Sequence, residues 1–174
     1  MGQHRYKIWN SPMVTAASMV PVTTGTSIKT MLQLASPSTR QFSIISWGYL
    51  LDAFPTTTLV GKIDLIESDT GATITQHVAS GIQPLLPGIP ASQLLIATTG
   101  QTGYTSSSET APTVTRTFDQ DQINGVTYLG GSEAMYEYQF LPNEQPVVAV
   151  SKFLRIRATF GSTVNMLCWA VIEE

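Results

Sequence analysis

Residues 153–173 read F-L-R-I-R-A-T-F-G-S-T-V-N-M-L-C-W-A-V-I-E, and this stretch decides the fold class. Leu154, Ile156, Ala158 and Phe160 fall on one side of an alternation, with Arg155 and Arg157 on the other. A period of two belongs to a β-strand, whose successive side chains point to opposite faces. Gly161-Ser162 breaks the pattern, and Val164 to Glu173 resumes it as an apolar run. The spacing predicts a hairpin of two strands about the Gly-Ser turn. Lys152, Arg155 and Arg157 then read as solvated strand charges, and Cys168 as a small buried hydrophobe.

The same period recurs toward the N-terminus. Ile28, Thr30, Leu32 and Leu34 share a face, and Pro37-Ser38 turns the chain. Gln41 to Leu51 is apolar on both faces, as in a central, doubly covered strand; Gly48 within it marks a bulge or a close backbone approach. Leu59 to Ser68 and Ala72 to Val78 flank Asp69-Thr70-Gly71, which predicts a second hairpin. Ala134 to Leu141 alternates Tyr136, Tyr138 and Phe140 with Met135, Glu137 and Gln139, and Val147 to Val150 adds a short strand. Residues 80–132 are punctuated by Pro and Gly, with strand-like pieces only at Leu94–Ala97 and Thr113–Phe118, and read as a loop-rich insertion that carries a partner surface. The expectation is an all-β protein: a two-sheet antiparallel β-sandwich, jelly-roll-like, formed by residues 27–174. Residues 1–26, broken by Pro12 and Pro21, read as an extended N-terminal arm that lies on its own domain or on a neighbour.

Composition narrows the function. The chain has 174 residues, a net charge of −3 and only 12% charged residues, about half the roughly 25% usual in soluble domains. Thr and Ser supply roughly a fifth of the chain. Such a surface suits protein–protein contact, because few charges need desolvation. No Lys/Arg run matches a row of phosphates, so no nucleic acid is expected. No apolar stretch reaches the ~18 residues that would span a bilayer, so no membrane partner is expected either. One cysteine excludes an intrachain disulfide.

The motifs that would carry chemistry are absent or incomplete. Asp69-Thr70-Gly71 matches the tripeptide of aspartic proteases, but Glu67 and Ser68 stand where that chemistry needs apolar residues. His4 and His77 are the only histidines, and neither has a nucleophile pattern beside it. Asp119-Gln120-Asp121-Gln122 lacks the Gly and Glu of a calcium loop and reads as a solvated loop. Tyr104, Tyr128, Tyr136 and Tyr138 could form a sugar platform, but alternating strand aromatics are more often core. The reading is therefore a non-enzyme with no metal and no cofactor. The residues singled out for partner contact are Tyr6, Ile8 and Trp9 in the arm, and Leu85, Leu86 and Ile89 in the insertion.

The segment from Ser18 through Pro21, Thr23, Thr24, Gly25 and Ile28 to Leu34, followed by Ile45-Ser46-Trp47-Gly48, resembles small capsid-associated, head-decorating proteins of tailed phages that infect actinobacteria. Leu154-Arg155-Ile156-Arg157-Ala158 and the ending Cys168-Trp169-Ala170-Val171-Ile172-Glu173-Glu174 carry the same likeness. The resemblance implies a virion protein placed on the outer capsid surface; synthesis in the host cytoplasm is expected because Arg5, Lys7, Asn10, Ser11 and Pro12 interrupt any signal-peptide apolar region. Its expected partners are the major capsid protein and further copies of itself, with a trimer favoured by shell geometry. A tail or baseplate component and a carbohydrate-binding β-sandwich module are the alternatives.

Overall fold

The computed structural model of the chain describes residues 4–12, 22–53, 60–123 and 134–174. Among the described residues thirteen strands run in chain order: β1 (Arg5–Trp9), β2 (Val22–Thr23), β3 (Lys29–Ala35), β4 (Phe42–Leu51), β5 (Gly61–Ser68), β6 (Thr73–Gln76), β7 (Ile82–Pro84), β8 (Gly103–Ser108), β9 (Val114–Ile123), β10 (Ala134–Gln139), β11 (Val147–Val148), β12 (Phe153–Thr159) and β13 (Asn165–Glu173). A 3₁₀ turn, Ala79–Gly81, precedes β7. All pairings are antiparallel and build two sheets, which pack as a sandwich. The first has the order β10-β4-β13-β1-β7, with β11 beside β4 and β2 beside β13; the second has the order β6-β8-β3-β12-β5-β9.

The stretch 153–173 supplies an interior strand to each sheet. β12 lies between β3 and β5, and β13 between β4 and β1. The expected hairpin is therefore an arch. Phe160 and Val164, on either side of the turn, are both buried, so the turn carries the chain over the core from one sheet to the other. The expected hairpin at Asp69-Thr70-Gly71 is also absent: β5 pairs with β12 and β9, whereas β6 pairs with β8 at the far edge of the same sheet. Among the described residues no two consecutive strands pair with each other. A turn signal locates a reversal without saying whether the next strand pairs alongside or crosses to the facing sheet, and here burial of both apolar faces decides.

The core is the inward face of each sheet: Ile8, Ile44, Trp47, Leu51, Met166, Cys168, Ala170 and Ile172 from one, and Leu32, Leu34, Ile63, Leu65, Leu154, Ile156 and Ala158 from the other. The β3 alternation departs from the sequence expectation at one point. A register shift opposite Ile156/Arg157 makes Met31 an extra residue, so Met31 joins the core, Thr30 turns outward and Ile28 is exposed. Leu94–Ala97 forms no strand; Leu94 is buried and the Leu95 N–H donates to Ala35 O.

The arm expectation fails for residues 5–9. β1 pairs along its length with β13 and on its other side with β7, and Tyr6 and Ile8 are core residues. Asn10 extends the attachment: its side-chain amide donates to Met166 O at 2.9 Å and accepts from the Cys168 N–H at 2.8 Å. The alternation of Arg5 and Lys7 with Tyr6 and Ile8 is a strand signal only five residues long, which proline punctuation hides. Residues 13–21 of the expected arm lie outside the described residues.

Gly48 is a close approach. Its position is directly opposite Trp169 in β13, and a Cβ there would stand 2.6 Å from the Trp169 ring and 2.6 Å from the Tyr136 carbonyl. Gly48→Ala should therefore lower stability by about 1–3 kcal/mol through overpacking, read as a shift of the denaturation midpoint with an unchanged slope; a neutral substitution would show that Trp169 does not lie on this backbone.

Candidate partner-binding surface

The excursion between β5 and β9 builds the margin of the sandwich. β7 extends the first sheet beyond β1, and β6 with β8 extends the second beyond β3. Of the residues singled out in sequence, Leu85 and Leu86 follow β7 and are exposed, with Val78 exposed before the 3₁₀ turn. Ile89 turns inward against the core and lines a cavity of about 340 Å³ with Tyr6, Ile82, Gln83, Pro90 and Ile96. Tyr6 donates its hydroxyl to Pro90 O at 2.8 Å, fastening this loop to β1. The cavity lining contains no charged side chain. Tyr6 and Ile8 are thus internal supports. Trp9 lies half-buried on the outer face of the first sheet, its ring 5.2 Å from that of Trp169, with Lys7 Nζ 4.2 Å above it. The structure brings Leu85, Leu86 and Val78 to one margin and leaves Trp9 on the sheet face.

Ionic groups bind the excursion to the second sheet. Arg155, read from sequence as solvated, is 0% exposed. Its guanidinium donates to Thr30 Oγ1 at 2.6 and 3.0 Å, to Thr70 O at 3.3 Å and to the Glu109 carboxylate. Glu109 also accepts from the Thr30 N–H and from the Ser106 hydroxyl. Residues 109–113 thereby cross from β8 over β3, β12 and β5 to reach β9, and the Thr113 N–H donates to Asp69 Oδ1 at 2.9 Å at the far side. Arg157 holds Asp64 through two bonds of 2.8 and 2.7 Å. The strand pattern placed both arginines correctly off the core face. It missed that a covering segment would bury one of them.

Asp119 and Asp121 also depart from expectation. They lie in β9 and turn inward, where Asp119 Oδ2 accepts from Trp47 Nε1 at 3.0 Å and from the Tyr136 hydroxyl at 2.8 Å, and Asp121 accepts from the Tyr49 hydroxyl. The three rings pack together, Tyr49 stacked on Tyr136 at 5.5 Å. Burial, followed by the bonds to these carboxylates, pushes both tyrosine hydroxyls far above their ordinary range. Two acidic residues answered by three aromatic donors form a latch between the sheets. Among the described residues no group of acidic, His and Cys side chains could hold a metal ion. The tyrosines considered for a sugar platform are dispersed: Tyr104 packs on His77, Tyr136 belongs to the latch, Tyr138 is exposed, and Tyr128 lies outside the described residues.

His77 is buried, with Nε2 2.7 Å from the Trp9 carbonyl. The carbonyl only accepts, so Nε2 carries the proton. Nδ1 has no partner and faces Gly81, where a Cβ would come within 2.5 Å of it. Burial lowers the pKa of this ring, against a smaller opposing effect of the Trp9 carbonyl.

Comparison with known proteins finds no matching family model, no significantly similar curated protein and no significantly similar solved structure.

Two outcomes test these contacts. Glu109→Ala leaves Arg155 buried without its counter-charge and should cost about 3 kcal/mol or more in denaturant unfolding, whereas Arg5→Ala, which removes a half-exposed partner and opens Glu173 to water, should cost less. Stability should also fall on acidification in two windows. The native pKa of His77 lies below the unfolded value of about 6.5, so the unfolded state binds the proton first and stability declines below that pH. Burial raises the Glu67 carboxyl, but the bonds from Arg116, the Ala149 N–H and Thr115 outweigh it and its pKa is lowered, so its contribution is lost further down, as pH falls below about 4.5. In His77→Gln the upper window should flatten while the lower one remains.

Proposed function

We propose that this chain is a jelly-roll structural protein of a tailed-phage particle, non-enzymatic, which decorates the outer head surface and bridges adjoining capsomers as a homo-oligomer. The observation that carries the reading is the strand order. With the two-residue strands β2 and β11 and the excursion strands β6, β7 and β8 set aside, the sheets run β10-β4-β13-β1 and β3-β12-β5-β9. Numbered one to eight along the chain, these are the orders 6-3-8-1 and 2-7-4-5, the eight-stranded arrangement of two Greek keys. Jelly rolls of this order recur in viral capsid and lectin domains.

The surface supports attachment to protein over catalysis. Leu85, Leu86 and Val78 are exposed along one margin, and the sparse charge of the chain keeps the cost of desolvating a broad contact low. Many copies that each cover a seam between capsomers would raise the free energy of opening the shell by mass action, without any single tight contact. The lectin alternative loses ground because Trp47, Tyr49 and Tyr136 spend their polar atoms on Asp119 and Asp121 inside the sandwich.

Electron microscopy of particles carrying the chain should place it on the outer head, and particles lacking it should lose their contents at lower temperature. Leu85→Asp with Leu86→Asp should lower its occupancy on particles at least tenfold with the isolated fold intact. Density on the tail, or full occupancy by this double variant, would overturn the reading.

A further inference from the structure

Each sheet has two terminal strands, and a terminal strand presents N–H and C=O groups that a further strand can pair with. Three of the four have outward donors already occupied or missing. At β7 the Leu85 N–H donates to Arg5 O. By the alternation of an antiparallel ladder, the outward groups of β7 are then those of Ile82 and Pro84. The Ile82 N–H is spent on Ala79 O, and Pro84 has none. At β6 the Ile74 N–H donates to Thr99 O at 2.9 Å. At β9 the N–H groups of Gln120 and Gln122 donate to Asp119 Oδ1 and Asp121 Oδ1 at 2.8 and 2.7 Å, and two register shifts bend the strand.

β10 has no such closure among the described residues. The Phe140 N–H donates to Ile45 O at 3.0 Å, so Tyr136, Tyr138 and Phe140 direct their backbone groups toward β4. Met135, Glu137 and Gln139 then direct theirs outward. On either side of this edge stand Met135 and Leu141, 65% and 62% exposed, with Tyr138 42% exposed between them.

We infer that β10 is the self-association edge of this protein: two copies join through antiparallel pairing of β10 about a two-fold axis at Tyr138. Same-face pairing in an antiparallel ladder requires the axis to pass through a residue position. An axis at Glu137 would set two carboxylates opposite each other, and like charges so placed are unfavourable. An axis at Tyr138 sets Met135 opposite Leu141 of the second copy, Glu137 opposite Gln139, and Tyr136 opposite Phe140. The outward N–H and C=O groups of Glu137 and Gln139 are then the ones that meet. Such a contact is isologous and closes at two copies. It also joins the two five-strand paths that end at β10 into one continuous sheet. The inference rests on the homo-oligomer part of the reading above and supplies its surface. It replaces the preference for a trimer, which came from shell geometry and from no residue.

The test is sedimentation of the full chain over a hundredfold range of concentration, independent of any particle. The expected result is a monomer–dimer equilibrium. Gln139→Pro removes only an outward donor and leaves the ladder to β4 intact, so it should weaken the dimer at least tenfold with an unchanged circular dichroism spectrum. Met135→Glu alone and Leu141→Lys alone should each weaken it. The double variant should restore it, because the pairing places the two new charges face to face. A monomer at every concentration, an oligomer indifferent to Gln139→Pro, or single variants not rescued in combination would overturn the inference. Loss of particle binding with an intact dimer would instead count against the shell reading alone.

Discussion

β12 and β13 are neighbours in the chain and both are largely buried, which they cannot be if they pair with each other at the edge of one sheet. Each needs a strand on both sides and a sheet over its inward face. The chain meets that constraint by sending β12 to the interior of one sheet and β13 to the interior of the other. Beside it, β3 and β5 flank β12, β4 and β1 flank β13, and among the described connections those from β3 to β4, from β11 to β12 and from β12 to β13 pass from one sheet to the other. Contacts are accordingly between distant segments, and loop closure is paid before pairing is gained.

Polar residues then lock what the apolar pattern assembles. Arg155 stands on the outward face of an interior strand, where a solvated charge would be unremarkable in energy. Once residues 109–113 cross over it, the guanidinium must be answered, and Glu109, Thr30 and Thr70 answer it. Burying such a group adds little net stability compared with an apolar residue. Its effect is to allow one path for the crossing segment. Asp119 and Asp121 act similarly at the opposite margin, where their second oxygens also close the backbone of their own strand. One pair of side chains thus fastens the sheets and blunts an edge.

These locks distribute the surface available to partners. The excursion between β5 and β9 covers one margin of both sheets and exposes Leu85, Leu86 and Val78 there. The latch closes β9, and among the described residues β10 keeps its outward backbone groups and its apolar flanks. A protein with little surface charge has few other means of choosing contacts, so edge chemistry and exposed apolar side chains carry that choice.

Period-two alternation determined the strand class of 153–160, 164–173, 134–141 and the other long segments, because side-chain direction along a strand is a local property. A glycine inside a strand left Gly48 open between a bulge and a close approach, and an apolar run put Cys168 in the core. Sequence patterning alone placed Leu85 and Leu86 in a surface excursion. The partners of each strand were decided only by the tertiary structure, since a Gly-Ser turn suits a hairpin and an arch alike, and Asp-Thr-Gly suits a hairpin and a crossing to the far edge of the same sheet. The same holds for β1, whose five residues are too few to outweigh the prolines after them until β13 offers a place to pair. The buried state of Arg155, the inward turn of Asp119 and Asp121 and the closed edges were likewise out of reach. Each depends on a segment far away in the chain arriving within hydrogen-bond distance, and a one-dimensional pattern carries no distance between such segments.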